Sequence, residues 1–295
     1  MANVLAVIGG SGLYELRELE DVERVTVSTP YGEPSAPIVR GRLGDTAMLF
    51  LPRHGEGHRI CPSAINYRAN VCALKMLGAT HLVSVSAVGS MREGICPGDV
   101  VLVDQFLDLT RRRVSTFFDE GLAVHVAFAD PVCRLMLDAA YGAACGLGTV
   151  VHTRGTYVCI EGPQFSTRAE SELYRGWGVS VIGMTAMPEA KLAREVELPF
   201  CSVSLATDYD CWHQEEASVT VDVVVATLER SVRVARDLLV GLARTLPDPR
   251  KSLAYRALDG AVMTSARVID PSVKERLGWL FDFGGSQVVA NRASC

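Results

Sequence analysis

The chain has 295 residues, 48% hydrophobic and 21% charged, with a formal net charge of −5 and a pI near 5.7. That length and core content fit one large globular domain, and the acidic balance lacks the basic footprint of a nucleic-acid binder. No run approaches the ~18 uninterrupted apolar residues of a membrane helix, and no basic stretch precedes the apolar run at Met1–Ile8, so a strand and not a signal peptide is expected there.

The elements then alternate along the chain. Asn3–Ile8 reads as a strand ending in Gly9-Gly10-Ser11-Gly12, and Thr46–Pro52 as a second strand ending at Arg53-His54-Gly55. Pro62–Leu77 has a helical apolar face of Ile65, Ala69, Cys72 and Met76. His81–Ser86 is a buried strand running into Ala87-Val88-Gly89-Ser90, and Asp99–Asp108 is another strand. Asp130–Ala144 reads as a helix, Thr149–Ile160 as extended chain, and Arg168–Trp177 as a short helix. Ser180–Met184 reads as a strand, Pro188–Leu198 as a helix with proline at its start, and Phe200–Leu205 as a buried strand. Asp222–Leu246 is a long amphipathic helix with Asp222 as the candidate cap. The pattern predicts a single α/β domain with a mixed, mostly parallel central sheet flanked by helices. Residues 1–250 form its body. Residues 251–295 are expected to add a C-terminal helical segment, with a tail from Phe281 rich in Gly, Ser, Asn and Ala that reads as flexible.

Nine cysteines, an odd number without a CxxC pair, are expected to be free thiols in a reducing cytoplasm, most of them packed as small hydrophobes. Neither they nor the six histidines form a metal motif. The run Arg111-Arg112-Arg113 reads as a solvated or interface feature.

The chemistry gathers where strands end. In open α/β sheets ligands bind at the carboxyl edge of the strands. Asp208 and Asp210, one residue apart just past Leu205, fit either a helix cap with a solvated acid or a pair of carboxylates that each face one edge of a planar base. Ser11 in its glycine turn offers amides and a hydroxyl to an anion. As a dinucleotide fingerprint the turn fails, because Glu15 falls where the third glycine belongs. Arg53 and His54 are either surface polar groups or, through the planar guanidinium, a phosphate site. Ser86 and Ala87 would complete such a cradle.

The segments Val7-Ile8-Gly9-Gly10-Ser11-Gly12-Leu13, Pro52-Arg53-His54-Gly55, Asn66-Tyr67-Arg68-Ala69-Asn70, Ser86-Ala87-Val88-Gly89-Ser90, Pro97-Gly98-Asp99, Asp104-Gln105-Phe106, Glu161-Gly162-Pro163-Gln164-Phe165-Ser166-Thr167-Arg168-Ala169-Glu170, Gly183-Met184-Thr185-Ala186-Met187-Pro188-Glu189 and Ala206-Thr207-Asp208-Tyr209-Asp210-Cys211-Trp212 appear together and in order. Through them the chain resembles the trimeric purine nucleoside phosphorylase family, in particular its branch acting on 5′-methylthioadenosine. The resemblance spans roughly Asn3 to Leu246.

That resemblance implies a pentosyltransferase in which inorganic phosphate, a co-substrate and not a cofactor, attacks the anomeric carbon and a purine leaves. It places Ser11, Arg53, His54, Ser86, Ala87 and Thr185 on phosphate, with Ser11 and Ser86 standing where many relatives carry threonine. Met184 would lie under the ribose and Phe165 against the purine face, with Tyr209 also at the base. Asp208 and Asp210 would bind the base edge, Asp208 as the protonated donor to N7, which favours 6-aminopurines. Ser166 and Thr207 would support them. The 5′-methylthio group would fall in an apolar slot of Val221 and Val224, reached by His125 from a neighbouring subunit and closed by Leu258, so that a homotrimer shares its sites. Four other readings stand beside this one: a broader phosphorylase that takes adenosine, one for methylthioinosine or 6-oxopurine nucleosides, a nicotinamide-dependent dehydrogenase, and a non-catalytic nucleoside-binding protein.

Overall fold

In the computed structural model, which describes residues 3–10, 13, 16–213, 221–283 and 288–290, with backbone only over 221–230, one mixed sheet of eleven strands organises the chain. Its order runs β2 (Glu20–Val25), β3 (Ile38–Leu43), β4 (Thr46–Pro52), β1 (Val4–Gly9), β5 (His81–Ser90), β10 (Val181–Gly183), β9 (Thr156–Cys159) and β7 (Gln105–Asp108). On the opposite edge of β5 lies β11 (Phe200–Asp208), which pairs with β6 (Val100–Val103), which in turn pairs with β8 (Val151–His152).

The centre of this sheet is β5 with β11, parallel and nearly continuous apolar runs of the kind that buried parallel strands require. Successive side chains point to opposite faces. Cys201, Val203 and Leu205 of β11 therefore join the core cluster of α2 (Arg134–Ala144) and α5 (Val221–Arg244), whereas Phe200 and Ala206 join that of α1 (Tyr67–Met76) and α4 (Ala186–Glu195). A third, smaller cluster packs Tyr174 of α3 (Arg168–Gly176) against Trp212 and Ile182.

Several elements differ from the sequence expectation. The Pro62 helix starts at Tyr67, after a separate turn at Pro62–Ala64, because the Asn66 side chain accepts from the Ala69 N–H and caps it there. The expected strand Asp99–Asp108 breaks into β6 and β7, which pair with different partners. Asp222 lies inside the first turn of α5 and not before it. The described C-terminal elements are docked, and residues 284–287 and 291–295 of the expected tail lie outside the described residues. α6 (Pro271–Leu277) and the paired β12 (Phe281–Asp282) and β13 (Val289–Ala290) bring Val273, Leu277 and Phe281 into the α1/α4 core. Of the cysteines, Cys72, Cys133, Cys159 and Cys201 are buried, but Cys61, Cys96 and Cys145 are exposed, so fewer serve as core than expected. No helix among the described residues is long and apolar enough to cross a membrane.

One buried acid ties this frame to pH. Glu195, the last residue of α4, accepts from the Thr116 hydroxyl at 2.7 Å and the Phe117 N–H at 2.7 Å. Burial outweighs these bonds and pushes its pKa from 4.5 to about 7. Between those values the folded chain holds a proton that the unfolded chain has released. The resulting stability is full below pH 4.5 and is lost as the pH rises through 7, a swing on the order of 3 kcal/mol. Thermal melts from pH 5 to 8 are expected to fall less steeply for Glu195→Gln than for the parent, and parallel curves rule the assignment out.

Candidate active site

A cavity of about 540 Å³ opens at the carboxyl ends of β1, β4, β5 and β11. Its position follows from the pairing of β5. On one edge β5 pairs with β1 as far as Ser84 and with β10 only from Gly89, so Val85–Val88 has no strand partner there among the described residues. Backbone groups alternate between edges along a strand. The Leu82 N–H bonds Pro199 on the β11 side, which turns the Val85 carbonyl and the Ala87 N–H to the open side. Residues 85 to 89 all line the cavity.

Arg53 sits at the end of β4 beneath this gap, with its side chain 2% exposed. It donates from Nε to Glu189 Oε1 at 2.6 Å and from Nη2 to Glu189 Oε2 at 3.0 Å. Nη1 reaches the Val85 carbonyl at 3.0 Å, and Nη2 reaches Ser84 Oγ at 2.8 Å. Burial opposes the charge, but Glu189 outweighs it and raises the guanidinium pKa. Arg53 is the only lysine or arginine among the described lining residues, and its charge is already matched.

His54 donates from Nδ1 to the Ile60 carbonyl at 2.8 Å, which fixes the proton on Nδ1. Burial, reinforced by the Arg53 charge, lowers its pKa to about 4. The ring is therefore neutral near pH 7 and keeps Nε2 as an acceptor. The Ser86 hydroxyl lies beside the Tyr157 ring oxygen yet meets hydrogen-bond geometry with no group. Thr185 occupies the cap position of α4 without capping it, so its hydroxyl is uncommitted to the helix. Together these donors surround a place suited to an oxyanion at a helix N-terminus.

The other end of the cavity is the acid pair. β11 runs on to Asp208, so this carboxylate ends the strand instead of following it, and Asp210 opens the next turn. Asp208 Oδ2 accepts from Thr207 Oγ1 at 2.7 Å, and Oδ1 from the Asp210 N–H at 2.8 Å. Asp210 is buried, takes a left-handed φ of 52° and accepts from Ser171 Oγ at 2.6 Å. Burial raises its pKa, and the bonds from Ser171 and Cys211 oppose that rise. The pair packs closely against β5 at Gly89. A Cβ there would stand 3.0 Å from Asp208 Oδ1 and 3.3 Å from the Asp210 Cβ. Ser166, whose hydroxyl is buried without a partner, and the half-exposed Phe165 flank this end.

Arg53, His54, Ser86, Ala87, Phe165, Ser166, Met184, Thr185, Thr207, Asp208 and Asp210 thus converge on one cavity. Ser11 lies outside the described residues, as do the side chains of Val221 and Val224, whose helix α5 contributes Val232 to the wall. Two expectations are corrected. Tyr209 does not line the cavity, because its ring stacks on His213 at 4.6 Å. Leu258 is 4% exposed in its own subunit's core, so it is not free to close a slot. His125, expected to act on the site of a neighbouring subunit, is exposed on the surface of its own, in a cleft with Arg194 and Arg256. Sequence reasoning also passed over Glu189, Ser171 and Arg113; Glu189 stood in the quoted Met187-Pro188-Glu189 segment without a role. No group of three or more His, Cys, Asp or Glu able to hold a metal ion occurs among the described residues.

The family model described as the phosphorylase superfamily matches residues 4–244. The S-methyl-5′-thioadenosine phosphorylase of Geobacter sulfurreducens is 50% identical over 278 residues, covering 94% of this chain and 97% of that one. Among solved structures, a methylthioadenosine phosphorylase from an antarctic soil metagenomic library is similar with a TM-score of 0.88 at 44% identity, covering 94% of this chain and 98% of that one. The methylthioadenosine phosphorylase of Schistosoma mansoni in complex with adenine gives a TM-score of 0.83 at 35% identity, covering 88% and 99%.

Proposed function

The chain belongs to the phosphorylase superfamily, and we propose that it cleaves S-methyl-5′-thioadenosine with inorganic phosphate, releasing adenine and 5-methylthioribose 1-phosphate. The observation that carries this reading is the unlike character of the two cavity ends. One presents uncommitted oxyanion donors, the other a buried acid pair.

Phosphate lies between the Ser86 and Thr185 hydroxyls, the Ala87 N–H and the remaining Nη1–H of Arg53, with Ser11 beside it. Because Arg53 is already neutralised, directed hydrogen bonds hold the anion more than net charge does. Neutral His54 accepts a hydrogen bond at Nε2 from the P–OH of monohydrogen phosphate. A phosphate oxygen attacks the anomeric carbon, the bond to N9 breaks, and its electron pair passes into the purine. Charge thus develops at two fixed places: positive on the ribosyl ring beside phosphate, negative on the departing base. Asp208 gives its proton to N7, and Asp210 accepts from the 6-amino group. A positioned acid of this kind is worth ~10²–10⁴-fold. Met184 lies under the ribose, and Phe165 covers the base with Ser166 at its edge. Phosphate is a co-substrate, and no cofactor takes part. The enzyme works in the cytoplasm, where its products feed purine and methionine salvage. It forms a homotrimer in which the exposed His125 of one subunit completes the 5′ slot of the next, beside Val221, Val224 and Val232.

Specificity constants for methylthioadenosine, adenosine, methylthioinosine and inosine, with and without phosphate, test this. Methylthioadenosine is expected to lead, with adenine release vanishing without phosphate. Release in phosphate-free buffer identifies a hydrolase instead, and preference for methylthioinosine a 6-oxopurine enzyme.

A further inference from the structure

Within the run Arg111–Arg113 the first two residues are exposed, as expected of a solvated face, but Arg113 is not. The Arg113 side chain is 1% exposed and spends its donors on backbone carbonyls. Nη1 donates to the Met184 and Met187 carbonyls, each at 2.6 Å. Nη2 donates to the Glu161 carbonyl at 2.9 Å and reaches that of Ile160 at 3.4 Å. Nε faces Glu161 Oε1 at 3.3 Å and Ser63 Oγ at 3.4 Å. The Glu161 carboxylate in turn accepts the Arg111 N–H at 2.6 Å and the Arg112 N–H at 3.1 Å, so the loop that carries Arg113 is itself anchored to the segment it holds.

These carbonyls belong to two neighbouring segments that follow the paired strands β9 and β10 and are joined by the Ile160 N–H to the Gly183 carbonyl at 2.9 Å; Ile160, Pro163 and Gly183–Thr185 of these segments line the cavity. The second segment needs outside support. Met187 has extended backbone, φ −110° and ψ 132°, inside the first turn of α4, so ordinary helical bonding does not define that turn. A planar fork with fixed donor directions does what a flexible ammonium cannot.

We propose that Arg113 is a positioning residue for the phosphorolytic reaction: it clamps the Met184–Met187 turn so that the Met184 N–H and the Thr185 hydroxyl stay aimed at ribose and phosphate. This rests on the function proposed above. Arg113 reaches substrate only through the backbone it fixes, and its loss acts on the rate because small displacements of positioning groups cost ~10²-fold.

The test uses Arg113→Lys and Arg113→Ala in the full-length protein. Expected for Arg113→Lys is a cooperative thermal transition, a fall in kcat/KM for methylthioadenosine on the order of 10²-fold with a raised KM for phosphate, and faster hydrogen exchange at residues 183–188. Methylguanidinium added to Arg113→Ala is expected to restore part of the rate and to leave the parent unaffected. A lysine variant with parental kinetics, or an alanine variant that guanidinium does not rescue, overturns the proposal. So does unchanged exchange at 183–188 in the lysine variant, a readout that needs no activity. A parent that lacks phosphorolysis overturns the proposed function instead and leaves the exchange result to judge the clamp.

Discussion

Asp208→Asn is expected to lower kcat/KM for methylthioadenosine by ~10²–10⁴-fold and to shift preference toward methylthioinosine. The amide still donates a hydrogen bond to N7, but it cannot surrender a proton as the base departs. With a 6-oxopurine the same N–H can serve the 6-oxo group, which the carboxylate left by proton transfer repels. The fold should tolerate the change. The amide oxygen keeps the bond from the Asp210 N–H, and the Thr207 hydroxyl can turn to accept from the new nitrogen. A stability loss of about 1 kcal/mol is therefore expected in denaturant melts. An unaltered ratio of methylthioadenosine to methylthioinosine turnover removes Asp208 from its role, whatever happens to the absolute rate.

Glu189→Gln has the larger expected effect on stability. Glu189 is fully buried and accepts from Arg53 twice and from Ser84 Oγ at 2.7 Å. Removing its charge strands a buried guanidinium, which costs ~3–5 kcal/mol. It also frees the side chain that organises the phosphate end, so the KM for phosphate should rise with the loss of stability. The double replacement Arg53→Met/Glu189→Leu is expected to recover much of the stability, since apolar pairs replace buried ion pairs at little cost, yet to stay inactive. A loss under about 1 kcal/mol in the single variant contradicts the ion-pair argument. A double variant no more stable than the single one does the same.

The parts of this fold that could be read from sequence are those where burial leaves an apolar record. β1, β4, β5 and β11 are buried almost throughout, so their runs stand out and the polar groups at their ends mark the site edge. β2 and β3 left no such record. β2 is exposed along nearly its whole length, and the outward Arg40 and Arg42 of β3 pair with it at the sheet margin. The site was legible where one residue type at a strand end implies one chemistry, as at Arg53, Ser86 and Asp208. It was not legible where the role depends on what folds back onto a residue. Glu189 reads as an ordinary helix position, and only the approach of α4 to β5 makes it the partner of Arg53. Arg113 hides among like-charged neighbours, because adjacency along the chain says nothing of its burial. His125 lines a separate surface cleft of its own subunit, so the role proposed for it depends on a second copy.

The unpaired stretch of β5 has one more implication. On the edge away from β11, strands supply the usual partners up to Ser84 and again from Gly89, and between them that edge lacks its rungs among the described residues. In the reaction proposed above, an oxyanion at Ala87 and Ser86 would take the place that a neighbouring strand would fill on that edge. Phosphate would then be both reactant and temporary piece of secondary structure, and each turnover would remove that piece when the sugar phosphate departs. That edge would alternate between a complete and an interrupted state, so phosphate should slow exchange of the Ala87 amide even when no nucleoside is present.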